Sequence, residues 1–325
     1  MQTRAGFAGS VGNTPLIRIH SLSEETGCEI LGKAEFMNPG GSVKDRAALW
    51  IVREHEKSGA LKAGGTVVEG TAGNTGIGLV HVCNARNYKT IIYMPDNQSR
   101  EKVDILRTLG AEVRVVKTVP YADDMNYQKQ AGRYAASIEG GVWANQFDNT
   151  ANTQAHFEST GPEIWDQTGG RLDAFTCAVG TGGTISGISR FLKSQKYAPE
   201  IILADPYGSA LFNWVTTGET KMTPGPSITE GIGNSRVTQN LAGAKIDGAV
   251  QVPDVDMVKM VYRMLREDGW FFGSSTGINL CAAAQIAKRL GPGHTIVTIL
   301  CDAGHKYQST LFNPAFLEAR NLATQ

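Results

Sequence analysis

Thr66-Val67-Val68-Glu69-Gly70-Thr71-Ala72-Gly73-Asn74-Thr75-Gly76-Ile77-Gly78 is the stretch whose reading decides the fold. A short β-branched run enters a glycine-rich turn, and the turn enters a helical pattern. A parallel strand needs such a junction, because its neighbour is reached only through a crossover, usually a helix. Working outward, the alternation recurs along the chain. Strands are predicted at 30–36, 66–69, 90–94, 112–116, 174–179, 201–204 and 295–300. Helices are predicted at 43–57, 75–85, 100–109, 126–136, 152–167, 184–192, 255–267 and 277–290. Several of these strands are continuous apolar runs, as in strands buried on both faces. The expectation is an α/β protein with parallel sheets. Residues 207–236, rich in Gly, Pro and Thr, read as irregular surface structure. No Pro- or Ser-rich linker separates the halves, so two domains would pack tightly.

The chain has 325 residues, enough for about two domains. Its 31 Lys plus Arg balance 31 Asp plus Glu, so there is no basic excess to neutralise a phosphate backbone. No apolar run approaches the ~18 residues of a membrane span. The start, MQTRAGFAGSVGNTPL, lacks a signal pattern. Nucleic-acid and membrane partners are therefore not expected. The five cysteines are scattered with no C-x-x-C pair, which fits reduced thiols in a cytoplasmic protein. The histidines show no ligand spacing, so no metal is expected. His81 and Cys83 lie in an apolar helical run and read as core.

Glycine is the outlier, at 38 of 325, about 12% against a usual ~7%. The glycines cluster at strand ends just before helices, where backbone N–H groups can meet an anion. In Asn38-Pro39-Gly40-Gly41-Ser42-Val43-Lys44-Asp45-Arg46, Ser42 and Asp45 have capping-box spacing. Lys44 then falls in the first helical turn, at the positive end of the dipole. It is either a solvated lysine or an amine placed to attack an aldehyde. Residues 69–78 offer backbone donors, two threonines and an amide that suit a small carboxylate, or equally a capped turn. Gly180-Thr181-Gly182-Gly183-Thr184-Ile185-Ser186-Gly187 forms a phosphate cradle, although it is neither a P-loop nor G-x-G-x-x-G. Gly273-Ser274-Ser275-Thr276-Gly277 matches the nucleophile elbow of a serine hydrolase, with Asp302 and His305 following in order. The close spacing of Asp302 and His305 weighs against that triad. Thr229-Glu230-Gly231-Ile232-Gly233 reads as a flexible loop.

Taken together, these segments resemble the cysteine synthase (O-acetylserine sulfhydrylase) family, pyridoxal-phosphate enzymes of the fold type that includes tryptophan synthase β chains. The resemblance runs nearly end to end. It begins at Gly12-Asn13-Thr14-Pro15-Leu16 and passes through the block 33–46, Thr71 to Gly78, Met94-Pro95 and Gly110-Ala111-Glu112-Val113. It continues through Asn145-Gln146-Phe147, Thr160-Gly161-Pro162-Glu163-Ile164-Trp165, the loop 180–184 and Gly231-Ile232-Gly233. Residues 273–277 and Asp302-Ala303-Gly304-His305-Lys306-Tyr307 close it.

The resemblance implies two open, mainly parallel twisted sheets flanked by helices, with the cofactor in the cleft between domains. The larger domain would be 1–45 with 153–325, and the smaller, mobile, substrate-binding domain 46–152. Lys44 would hold pyridoxal 5'-phosphate as a Schiff base and move the α-proton. Gly180, Thr181, Gly182, Gly183 and Thr184 would bind its phosphate, Asn74 its ring oxygen, and Ser275 its pyridine nitrogen. Thr71, Ala72, Asn74, Thr75 and Gln146 would hold the substrate carboxylate, with Gly231 near the amino group. The implied reaction is β-replacement of O-acetyl-L-serine by sulfide, through an aminoacrylate, giving L-cysteine and acetate. A serine opposite the ring nitrogen is too weak an acid to protonate it, which favours β-elimination over transamination or racemisation. The alternatives are an L-cysteine desulfhydrase, a cystathionine β-synthase-like replacement enzyme, and the serine hydrolase using Ser275. A homodimer and binding of a serine acetyltransferase tail are also implied. Two departures stand out: Ala72 replaces a serine common in the family, and His305-Lys306 replaces a frequent Glu-Arg.

Overall fold

A computed structural model describes residues 3–323. Among the described residues ten strands form two sheets, namely β1 (Leu16–Arg18), β2 (Glu29–Lys33), β3 (Thr66–Gly70), β4 (Lys89–Pro95), β5 (Glu112–Val116), β6 (Gly141–Trp143), β7 (Ala174–Ala178), β8 (Glu200–Pro206), β9 (Gly248–Val252) and β10 (Thr295–Ile299). The larger sheet has the order β1-β2-β10-β7-β8-β9, and the smaller β5-β4-β3-β6. Every pairing is parallel except β1 with β2.

Alternation along the central strands explains why both faces of the larger sheet are covered. Ala174, Ile202 and Ile296 point to one face, where they pack with Ile278, Ala282 and Ile286 of the helix Ser274–Leu290. Phe175, Leu203 and Val297 point to the other, against Ile185 and Ile188 of the helix Gly183–Leu192. The smaller sheet is sandwiched in the same way. Val67 packs with the helices Lys44–Lys57 and Asn74–Asn84, and Val68, Ile91 and Tyr93 with the helix Tyr127–Ser137.

The predicted strands are all present, but β1, β6 and β9 were not anticipated. All three are sheet edges. An edge strand has one neighbour and is only partly covered, so its residues need not form a continuous apolar run. The strand expected over 30–36 ends at Lys33, and its tail forms the 3-10 turn Glu35–Met37. The helix expected at 152–167 contains the π-turn His156–Thr160, and that at 255–267 ends in the π-turn Met264–Asp268. The region 207–236 is not wholly irregular, since it contains the helix Leu211–Thr217. Short helices at Gly6–Ser10, His20–Thr26, Gln239–Ala242 and Pro314–Glu318 also went unread. Cys83 is fully buried, whereas His81 is partly exposed and stacks on Phe7 with centroids 4.9 Å apart.

All five cysteines are free. Among the described residues no helix is long and apolar enough to cross a membrane, and no group of three acidic, His or Cys side chains could hold a metal ion.

Candidate active site

Four helices begin at one cleft of about 290 Å³: Lys44–Lys57, Asn74–Asn84, Gly183–Leu192 and Ser274–Leu290. The cleft lies beyond the carboxyl ends of β3, β7 and β10, where open α/β sheets bind ligands. At Asn74–Asn84, Gly183–Leu192 and Ser274–Leu290 no side-chain cap takes the first N–H groups, which are left for other acceptors, whereas Ser42 Oγ takes the Lys44 N–H. A site of this kind attracts anions through aligned N–H groups and needs no broad positive field. Such a site is compatible with zero net charge.

Lys44, Thr71, Ala72, Asn74, Thr75, Gln146, Gly180, Thr181, Gly182, Thr184, Gly231 and Ser275 all line this cleft. Gly183 is not among the lining residues. It backs onto Asn152, and a Cβ at Gly183 would lie 2.1 Å from Asn152 Oδ1.

The turn before Lys44 differs from the expected capping box. Val43 is the N-cap, and Ser42 Oγ accepts from the Lys44 N–H at 3.2 Å. Asp45 turns away and accepts from the Gly40 N–H at 2.5 Å. Burial pushes the Asp45 carboxyl up to about 7. Val43 N–H donates to Cys301 O at 3.0 Å, which ties the lysine turn to the chain just beyond β10. Behind it, Arg46 bonds both Glu35 and Glu163, and Lys33 reaches Glu163 at 2.7 Å.

The loop 180–184 is made possible by missing side chains. A Cβ on Gly180 would sit 2.1 Å from Gly231 O, and Gly182 has φ +91°, where L side chains are strained. Asn152 Nδ2 donates to Thr181 Oγ1 at 2.9 Å, and Thr238 Oγ1 donates to Thr181 O at 2.6 Å. Thr184 Oγ1 lies 3.2 Å from His156 Nε2, and burial pushes this histidine down to about 3. A neutral imidazole therefore backs the loop.

Gln146 donates to Glu69 Oε1 at 3.1 Å and to Gly70 O at 3.2 Å, and accepts from Thr75 Oγ1 at 2.5 Å. Its amide hydrogens are thus engaged with Glu69 and Gly70, and its oxygen orders Thr75. The N–H groups of Asn74 and Thr75 have no side-chain cap and are left for an acceptor in the cleft. Burial pushes Glu69 up to about 8, so at neutral pH it is mainly a protonated acid.

Ser275 is 5% exposed, in the first turn of its helix. Burial pushes the neighbouring Cys301 thiol up to about 11, with Lys44 and Ser275 beside it. The hydrolase triad does not assemble: His305 is exposed, while Asp302 Oδ2 accepts from Asn74 Nδ2 and Tyr307 OH, each at 2.7 Å.

Sequence reasoning placed Asp302 only in the rival hydrolase triad and gave no role to Lys306, Glu69, Asn152, Lys102 or Glu230. Lys102 and Glu230 also line the cleft and meet at 2.7 Å, Lys102 being 2% exposed. An acid closing a buried strand, as Glu69 does, is the one local signal that was available.

The donor set fits a phosphorylated aldehyde. An amine stands on one helix start, uncapped N–H groups with a glycine cradle on another, and a serine hydroxyl on a third. Fold and cleft define an α/β enzyme with room for such a cofactor. Residues 8–302 match the family described as pyridoxal-phosphate dependent enzyme. The chain belongs to this family, and pyridoxal phosphate is its cofactor.

Among its relatives is "Cysteine synthase 1" of Neurospora crassa, 54% identical over 321 residues, covering 98% of this chain and 85% of the relative. "Cysteine synthase 1" of Emericella nidulans is 53% identical, over 98% of this chain and 87% of the relative. The fold is also similar to the crystal structure of an O-acetylserine dependent cystathionine beta-synthase from Helicobacter pylori. The TM-score is 0.85 and the identity 32%, over 95% of this chain and 99% of that one.

Proposed function

We propose that the protein is a cysteine synthase that replaces the acetoxy group of O-acetyl-L-serine with sulfide, giving L-cysteine and acetate. The observation that carries this reading is the placement of Lys44 in one cleft with two uncapped helix N-termini, at Asn74 and Gly183, one for a carboxylate and one for a phosphate. The relatives named cysteine synthase support it.

Pyridoxal phosphate, when bound, supplies the electron sink that stabilises negative charge at the substrate's α-carbon. The protein does the rest. Lys44 Nζ takes the α-proton as general base and later returns it. The Asn74–Thr75 helix start would orient the carboxylate, and the 180–184 loop would anchor the phosphate. Ser275 would face the ring nitrogen with a hydroxyl too weak an acid to protonate it. The C–O bond at the β-carbon breaks, acetate leaving with its electron pair, and a C–S bond forms there. The smaller domain, 46–152, is the mobile part, and Gly231 lies on the loop that follows its closure.

The experiment is to add O-acetylserine and sulfide to purified holoenzyme and measure cysteine and acetate. Equimolar formation is expected. The visible band of bound cofactor should vanish on borohydride treatment and be missing from Lys44→Ala. Absence of cysteine from cofactor-replete protein overturns the reading. The Helicobacter pylori neighbour favours a second reading, in which a larger thiol serves as nucleophile. Faster turnover with homocysteine than with sulfide would select it, and release of sulfide and pyruvate from cysteine alone would indicate a desulfhydrase.

We also infer a homodimer that accepts a serine acetyltransferase tail, on the strength of the family resemblance. A monomeric mass in solution, or no competition between a tail peptide and substrate, overturns each in turn. A cytoplasmic location is supported by five free cysteines and is checked by fractionation.

A further inference from the structure

Asn74 is held at both ends of its amide. Nδ2 donates to Asp302 Oδ2 at 2.7 Å, and Oδ1 accepts from Lys306 Nζ at 3.0 Å. These partners are chemically one-sided, because a carboxylate only accepts and an ammonium only donates. Flipping the amide would set its oxygen against the carboxylate and its NH2 group against the ammonium, turning two attractions into two repulsions. The partners are themselves fixed. Tyr307 OH donates to Asp302 Oδ2 at 2.7 Å, and Lys306 Nζ donates to Gly41 O at 2.9 Å. Asp302, Lys306 and Tyr307 are 0%, 2% and 2% exposed, so water is not there to replace a lost partner. An amide NH2 group has two hydrogens. Asp302 takes one, and the other belongs to a residue that lines the cleft.

We propose that Lys306 and Asp302 form a clamp that locks the Asn74 amide with an N–H toward the cofactor's ring oxygen, making Lys306 a positioning residue for the bound cofactor. The inference rests on the assignment of Asn74 to that oxygen. It gives a function to the lysine that stands where the family often has arginine, a second cation able to donate to the same amide oxygen. Without the clamp, the amide samples both orientations, and one of them turns an oxygen against the ring oxygen.

The test uses purified protein freed of cofactor and then titrated, by fluorescence, with pyridoxal phosphate or with the analogue in which hydrogen replaces the ring hydroxyl. The ratio of the two affinities isolates the ring-oxygen contact. Lys306→Met and Asp302→Asn should each lower this preference about two- to tenfold, the range for one hydrogen bond. Lys306→Arg should retain it. The visible band of the bound cofactor should shift in Lys306→Met and not in Lys306→Arg. An unchanged preference in Lys306→Met, or equal losses for both ligands, overturns the clamp. Should Lys306→Met fail to fold, Asp302→Asn decides by the same criterion. Asn74→Ala separates the underlying assignment. If that variant keeps the full preference, Asn74 does not serve the ring oxygen. If it loses the preference while Lys306→Met and Asp302→Asn keep it, only the clamp is wrong.

Discussion

Arg46 grips Glu163 through two parallel hydrogen bonds, Nη1 to Oε1 and Nη2 to Oε2, each 2.7 Å long. The pair fastens the helix that begins with Lys44 to the helix Gly161–Gln167. Glu35, fully buried, accepts from Nε and Nη2, Ser159 Oγ accepts from Nη1, and Lys33 also reaches Glu163. Bidentate pairs of this kind fix direction as well as distance.

Glu163→Gln leaves two buried cations short of a partner, and breaking such a pair costs about 3–5 kcal/mol. Urea unfolding should show that loss at neutral pH. In the wild type, burial pushes Glu163 up, but Arg46 and Lys33 outweigh it and hold the group at about 2, below its ordinary 4.5. Its contribution is therefore complete above about pH 4.5 and is lost as pH falls through about 2. The variant should lack that part of the acid transition, and an unchanged acid limb would refute the assignment.

Glu69 gives the opposite pH dependence. Burial raises it from 4.5 to about 8, so its folded form favours the proton. Stability from this group is full below about pH 4.5 and declines as pH rises through about 8. Glu69→Gln mimics the protonated acid. It should flatten the fall in melting temperature across that window and raise the alkaline melting temperature by a few degrees.

Ala72→Ser restores the hydroxyl that many family members carry at this cleft position. One added hydrogen bond to substrate corresponds to a two- to tenfold change, so KM for O-acetylserine should fall by about that factor with kcat little altered. Steady-state kinetics at saturating sulfide checks this. An unchanged KM would show that the added hydroxyl finds no substrate atom here.

Gly180→Ala tests the cradle. The new methyl would lie 2.1 Å from Gly231 O, so either the 180–184 loop or the 229–233 loop must move. Cofactor affinity should drop at least tenfold by equilibrium dialysis while the circular dichroism spectrum is retained. Full affinity would place the phosphate elsewhere.

Which parts were legible follows from how local their causes are. β3, β4, β7, β8 and β10 were readable because apolar and β-branched runs mark strands covered on both faces, and β5 because its Val-rich run carries the same preference. The edges β1, β6 and β9 carry no such run. The glycine-rich turns were readable because a strand that must turn at once into a helix leaves a compositional trace. The Ser42–Asp45 capping box was misread because its spacing is right but its acid has a competing donor, the Gly40 N–H. The ends of Gln146's amide, which serve Glu69, Gly70 and Thr75, could not be read from one segment.

The residue order alone determined the α/β class, the positions of the glycine-rich turns and the lysine at a helix start. Each of these depends on groups within about one turn or one strand of each other. Only the tertiary structure decided which way those groups face. The donor that Asn74 turns to the cleft is set by Asp302 and Lys306, 228 and 232 residues away in the chain. A hydrogen bond's direction depends on the partner's chemistry at the point of contact, and that contact exists only once both sheets have brought their helix starts to one cleft.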